Sequence, residues 1–121
     1  MYGPVRARGN ILSFRAFDRN FGDVIEHVAY AGINQRRVLA PADREVDTVA
    51  LLAALRLSGS FEWHIKVALR LGVKDSHLRA AMIEQTPLAG VIAIAQGLRS
   101  YVQVHADWLA HPAADAPAVA Q

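Results

Sequence analysis

Glu45 and His64 are the two residues whose types and placement best suit moving a proton. An imidazole titrates near neutral pH, so it can take or give a proton under working conditions. A carboxylate beside it orients the ring and favours its charged form. Such a pair suits reactions that pass through a carbanion or an enolate. Decarboxylation of an activated, vinylogous acid needs a place for charge to spread as carbon dioxide leaves, and then a proton for the carbon left behind. Neither a metal nor an organic cofactor is required. The same groups would serve an isomerase or a cyclase working through an enolate. Each residue also has a plain structural use: His64 as a helix-start histidine bonded to backbone, Glu45 as a negative charge at the positive end of a helix.

The remaining polar residues add little chemistry. The five histidines stand at 27, 64, 77, 105 and 111, and no two share the i, i+3 or i+4 spacing of a helical metal site. No metal site is expected. His77, His105 and His111 are expected at the surface. There is no glycine-rich phosphate cradle, and Ser58 and Ser60 are explained by a turn. Trp63 is first a packing or interface residue, because aromatic side chains dominate such burial, and second a pocket wall. Glu84 is first a solvated carboxylate and second a pocket group. Arg56, or an arginine of the N-terminal arm, could hold a substrate carboxylate.

The elements that must position the pair lie in EVDTVALLAALRLSGSFEWHIKVALRLG, residues 45–72. A helix is expected over 42–57, opened by Pro41, Asp43 and Glu45, and apolar almost all round from Val46. Such a helix needs several packing partners. The Ser58-Gly59-Ser60 break follows. A second helix starts at Phe61, capped by Ser60, and stops at Gly72. Asp18 can cap an earlier helix running to about Gly32, with Phe21, Val24, Ile25, Val28 and Ala29 on one face. Asp75 or Ser76 starts a fourth helix, with Leu78, Ala81 and Met82 on its face. Pro87 must kink or end it. A long last helix is expected over 88–108, with Val91, Ile94, Ala95, Leu98, Tyr101 and Val102 on its apolar side, and with Gly90 and Gly97 admitting a neighbour. Gly3-Pro4 and Gly9-Asn10 mark residues 1–16 as an arm. Residues 17–110 form the domain, and 111–121 a flexible tail. Strand signals are missing, so the fold is expected to be all-α, with five or six helices.

Composition narrows the function. A length of 121 residues suits one domain, and 53% hydrophobic residues argue against disorder. Net charge is only +2 and arginines are scattered, so the basic stripe of a nucleic-acid binder is missing despite the sequence pI of 9.4. There is no cysteine, hence no disulfide and no thiol chemistry. No membrane partner is expected, because no apolar run approaches the roughly 20 residues of a span. The N-terminus lacks a signal-peptide pattern, so a cytoplasmic location is the default.

TVALLAALR, then WHIKVALRLGV, then the gap to LAG, together with the earlier FDRNFGDVIEHVAYAG, resembles the gamma-carboxymuconolactone decarboxylase family within the AhpD-like alkylhydroperoxidase superfamily. The resemblance covers roughly residues 17–109. It implies an all-helical domain with a central antiparallel helical hairpin, assembled as a homotrimer or a hexamer built from trimers, with sites near subunit contacts. His64 matches the family histidine, and Glu45 matches the glutamate of the AhpD-like proton relay. The redox cysteines would fall at Leu57 and Ser60, so thiol peroxidase activity is excluded. Tyr30 stands where the decarboxylases commonly have tryptophan, and Leu88-Ala89-Gly90 replaces their Tyr-Cys-Gly or Tyr-Ala-Gly. His27, one turn from Tyr30, lies near where the family's pockets open. The expectation is a cofactor-independent lyase acting on a small cyclic carboxylated or enolisable molecule. His64 and Glu45 would be catalytic, and Tyr30, His27, Trp63, Glu84 and Leu88 would shape the pocket. The alternatives are an isomerase or cyclase on the same scaffold, or a non-catalytic oligomer that binds a small molecule.

Overall fold

The computed structural model describes residues 12–33 and 35–111, which fall into two compact units, one reaching to Leu39 and one beginning at Ala40. All regular structure among the described residues is helical.

In the first unit, residues 12–17 form a short helix, α1, where an arm was expected. Its side chains find partners: the Phe14 ring meets Phe21 edge-on at 5.5 Å between centroids, and Arg15 bonds to Asp23 at 3.0 Å and also to Glu26. Asp18 caps α2 (Arg19–Val24) as expected, accepting the Phe21 N–H at 2.9 Å. The helix then widens into a π-helical stretch, Ile25–Ile33, reaching the expected end near Gly32. The stripe expected along it is not buried: Phe21, Val24 and Val28 keep 46%, 53% and 51% of their surface exposed.

The second unit is built around α3 (Pro41–Ala54), which touches α4 (Phe61–Arg70), α5 (Asp75–Ile83), α6 (Thr86–Ala89) and α7 (Val91–Ala110). Pro41 starts α3, where its missing N–H has no intrahelical partner to lose. Its buried face is Glu45, Val46, Val49, Ala50 and Ala53, a helical repeat. Leu51 and Leu55, on the other side, are exposed in the single chain. From α4 the core takes Phe61, Ile65 and Ala68, from α5 Leu78 and Met82, and from α7 Ile94 and Tyr101. Each fully buried Ile, Leu or Met contributes about 1.5–3 kcal/mol.

Two helix ends share one motif with different residues. α4 ends with the Gly72 N–H bonded to the Leu69 carbonyl and the Val73 N–H to Ala68. Gly72 sits at φ +85°, the left-handed region that glycine enters freely. α3 ends the same way, with Arg56 N–H to Ala53 and Leu57 N–H to Leu52, but the left-handed residue is Arg56, at φ +58°. The helix therefore stops three residues short of the expected Leu57.

α6 begins with Pro87 in its first turn, and Gly90 turns the chain at φ +91° into α7. The last helix thus begins at Val91 rather than Leu88. Its buried face is Ala93, Ile94 and Tyr101, whereas Val91 and Val102, expected on it, are exposed. Gly97 lets α7 approach closely. A Cβ there would lie 3.2 Å from both the Ala53 Cβ and the Met82 Cε. Gly90, expected to do the same, faces open space and serves as a turn.

Candidate functional site

Glu45 lies in the second turn of α3, on its buried face, and keeps 1% of its surface exposed. His64 lies in the first turn of α4, with its side chain 16% exposed. Across 19 residues of sequence the two side chains meet: His64 Nδ1 is 2.7 Å from Glu45 Oε2. A carboxylate only accepts, so Nδ1 carries the proton and donates it to Glu45. That fixes the tautomer of the neutral ring and leaves Nε2 as the nitrogen able to accept a proton. A carboxylate this deeply buried requires such a partner. The arrangement is a histidine held in one orientation by a buried acid and still in contact with solvent. Such a ring can pass a proton to or from a molecule bound beside it. Compared with known protein families, curated proteins and solved structures, the chain finds no match.

Trp63, beside His64, is half-buried, and the Arg70 guanidinium lies 5.5 Å from its ring centre and 5.6 Å from that of Trp108. Glu84 is exposed at the C-terminal end of α5. Leu88, on α6, exposes 90% of its surface in the single chain. His27 belongs to the N-terminal unit, where its ring bonds to the Asp23 carbonyl of its own helix at 2.8 Å. The side chain of Tyr30 lies outside the described residues. Among the described residues, no group of three or more His, Asp or Glu side chains converges in a way that could hold a metal ion. None of the described helices is long and apolar enough to cross a membrane.

A groove of about 140 Å³ opens at the bend between α3 and α4, where Leu52, Leu57, Phe61 and Ala93 supply apolar surface. Neither Glu45 nor His64 lines it. Phe61 does, and it stands three residues before His64 on α4, a spacing that puts the two side chains on neighbouring sides of the helix.

A second polar cluster escaped the sequence reading. Asp75 Oδ1 accepts from the Tyr101 hydroxyl and from Arg79 Nε, both at 2.8 Å, and His105 Nδ1 stands 3.6 Å away. His105, expected at the surface, is half-buried and stacks on the Tyr101 ring. Burial pushes the Asp75 carboxyl up, but the bonds from Arg79 and Tyr101, with the charges of His105 and Arg79, outweigh it and hold the group below its ordinary range. Burial, reinforced by Asp75, pushes the Tyr101 hydroxyl up. Helical periodicity places Tyr101 on the apolar side of the last helix, where it is buried, but nothing in the sequence names a partner 26 residues away. Lys66, also buried, donates to Asp107 Oδ2 at 2.8 Å and lies 3.0 Å from Glu62 Oε1. Lys66 holds the Asp107 carboxyl below the usual carboxylate range, first by its hydrogen bond and then by its charge.

Proposed function

We propose that the chain is a cofactor-independent lyase of the carboxymuconolactone decarboxylase type, working as a homo-oligomer on a small cyclic carboxylated or enolisable molecule. The observation that carries this is the 2.7 Å contact between His64 Nδ1 and the buried Glu45. With Glu45 holding Nδ1–H, the protonated ring presents Nε2–H to substrate. As the carbon–carbon bond to the carboxylate breaks, its electron pair passes into the conjugated carbonyl and carbon dioxide leaves. The dienolate takes the Nε2 proton on carbon, and the neutral ring regains a proton from water. Glu45 stabilises the charged ring throughout without changing its own state. An isomerase or cyclase would use the same two residues, with proton removal and return in place of loss of carbon dioxide.

The test is release of carbon dioxide from a panel of small vinylogous carboxylic acids, including gamma-carboxymuconolactone. His64→Ala should lower turnover by about 10²–10⁴-fold, the usual contribution of a general acid or base, with unchanged circular dichroism and oligomer size. Full activity in that variant removes the proton-transfer role. One observation favours a second reading, a scaffold that binds without chemistry: the groove at the α3–α4 bend is lined by neither member of the pair. No turnover on the panel, combined with saturable binding, would select it.

A further inference from the structure

We propose that the groove at the α3–α4 bend is a binding site for a small organic carboxylate, with Arg56 as the cation that pairs with the acid group. Three observations meet there.

The first is charge. Arg56 lines the groove, and its guanidinium makes no ion pair or side-chain hydrogen bond among the described residues. Arg15, Arg70 and Arg79, by contrast, are each engaged by a carboxylate or an aromatic ring. A guanidinium presents a planar fork of donors that matches a carboxylate in two parallel bonds.

The second is backbone. Arg56 is the residue of the described chain, glycines aside, that sits at positive φ. The equivalent place at the end of α4 holds Gly72, so the fold has a less strained solution for this motif and uses it elsewhere. A strained residue at the rim of a groove points to a use for its side chain.

The third is the lining. The groove pairs apolar groups such as Leu52, Leu57 and Phe61 with hydrogen-bonding groups from Ser58, Gln96 and Ser100. The α4 helix starts at Phe61, and its N-cap Ser60 makes no side-chain capping bond, so the positive end of a ten-residue helix adjoins the groove. Glu62 in that first turn is drawn to Lys66 at 3.0 Å. Drug-sized sites measure about 300–1,000 Å³. At about 140 Å³ this groove suits a single ring or a short acyl chain bearing one carboxylate.

The inference stands apart from the proposed lyase activity, because binding is read without turnover. The full-length chain, labelled with nitrogen-15, is titrated with benzoate and, separately, with benzamide, its uncharged counterpart. Benzoate should shift the amides of Ser58, Gln96, Gly97 and Ser100 saturably, and benzamide should bind at least tenfold more weakly. Arg56→Gln should weaken benzoate at least tenfold, and Arg56→Lys by less than that. Ser100→Trp, which fills the groove while leaving Arg56 in place, should abolish the shifts. His64→Ala should bind benzoate as the unaltered chain does. Equal binding of benzoate and benzamide, or of benzoate to Arg56→Gln, overturns the proposal. So does the absence of saturable shifts, including the case in which a second copy of the chain covers the groove.

Discussion

At the scale of single residues, the acid–histidine contacts Glu45–His64 and Asp75–His105 sit in different environments. Glu45 is almost wholly buried and engages one face of His64, whereas Asp75 is partly exposed and shares one oxygen among Tyr101, Arg79 and His105. The first suits proton transfer and the second suits fastening α5 to α7. If the proposed proton transfer holds, Glu45→Gln, which keeps the shape but replaces the carboxylate opposite His64 Nδ1, should lower turnover while the urea midpoint moves far less than turnover does. Unchanged turnover would show that Glu45 only fills space. For Asp75 the sign follows from its lowered pKa: the contact stabilises the fold above the ordinary carboxylate value of about 3.9 and is lost as pH falls through the lower, folded value. Tyr101 runs the other way. Its raised pKa favours the neutral hydroxyl, so folding weakens once pH exceeds about 10. Urea midpoints measured from pH 2 to 7 should show a smaller acid loss in Asp75→Asn than in the unaltered chain. An identical profile would mean the cluster contributes nothing.

At the scale of elements, the two matched helix ends make a controlled comparison. Gly72→Ala forces a Cβ into the left-handed region and should destabilise by about 1 kcal/mol, whereas Arg56→Gly relieves the same strain and should stabilise by about 1 kcal/mol. Chemical denaturation with opposite signs at the two sites checks this. A loss of stability at Arg56→Gly would mean that the side chain supports the fold. Gly97 belongs to the packing of α7 on α3 and α5. With the Ala53 Cβ and Met82 Cε already 3.2 Å from the missing Cβ, Gly97→Val should destabilise by about 2 kcal/mol through overpacking.

At the scale of the whole molecule, large apolar side chains remain at the surface of the second unit. Leu88, Val91, Ile92 and Leu109 expose 90%, 70%, 68% and 66% of their area. The neighbouring Val91 and Ile92 are where the proposed oligomer would bury apolar surface. The proposed trimer or hexamer should appear in light scattering at micromolar concentration, and Ile92→Glu should shift it toward monomer. A monomer at all concentrations would remove the oligomer from the proposal.

The sequence by itself determined the helical class, the capping of α2 by Asp18, the end of α4 at Gly72 and the core face of α5, because caps, glycines and 3.6-residue periodicity are local. It placed Glu45 and His64 near two helix starts. It could not bring them together, because contact across 19 residues depends on how α3 and α4 pack, which no local pattern encodes. The same reason hid the Asp75–Tyr101 bond. The α3 end was misplaced because Ser58-Gly59-Ser60 advertises a break, while the helix already ends at Ala54 and the chain turns at Arg56, which carries no turn signal. Exposure of the α2 stripe and of Val91 was equally out of reach. Periodicity shows that a face is apolar, and only the tertiary structure shows what, if anything, covers it.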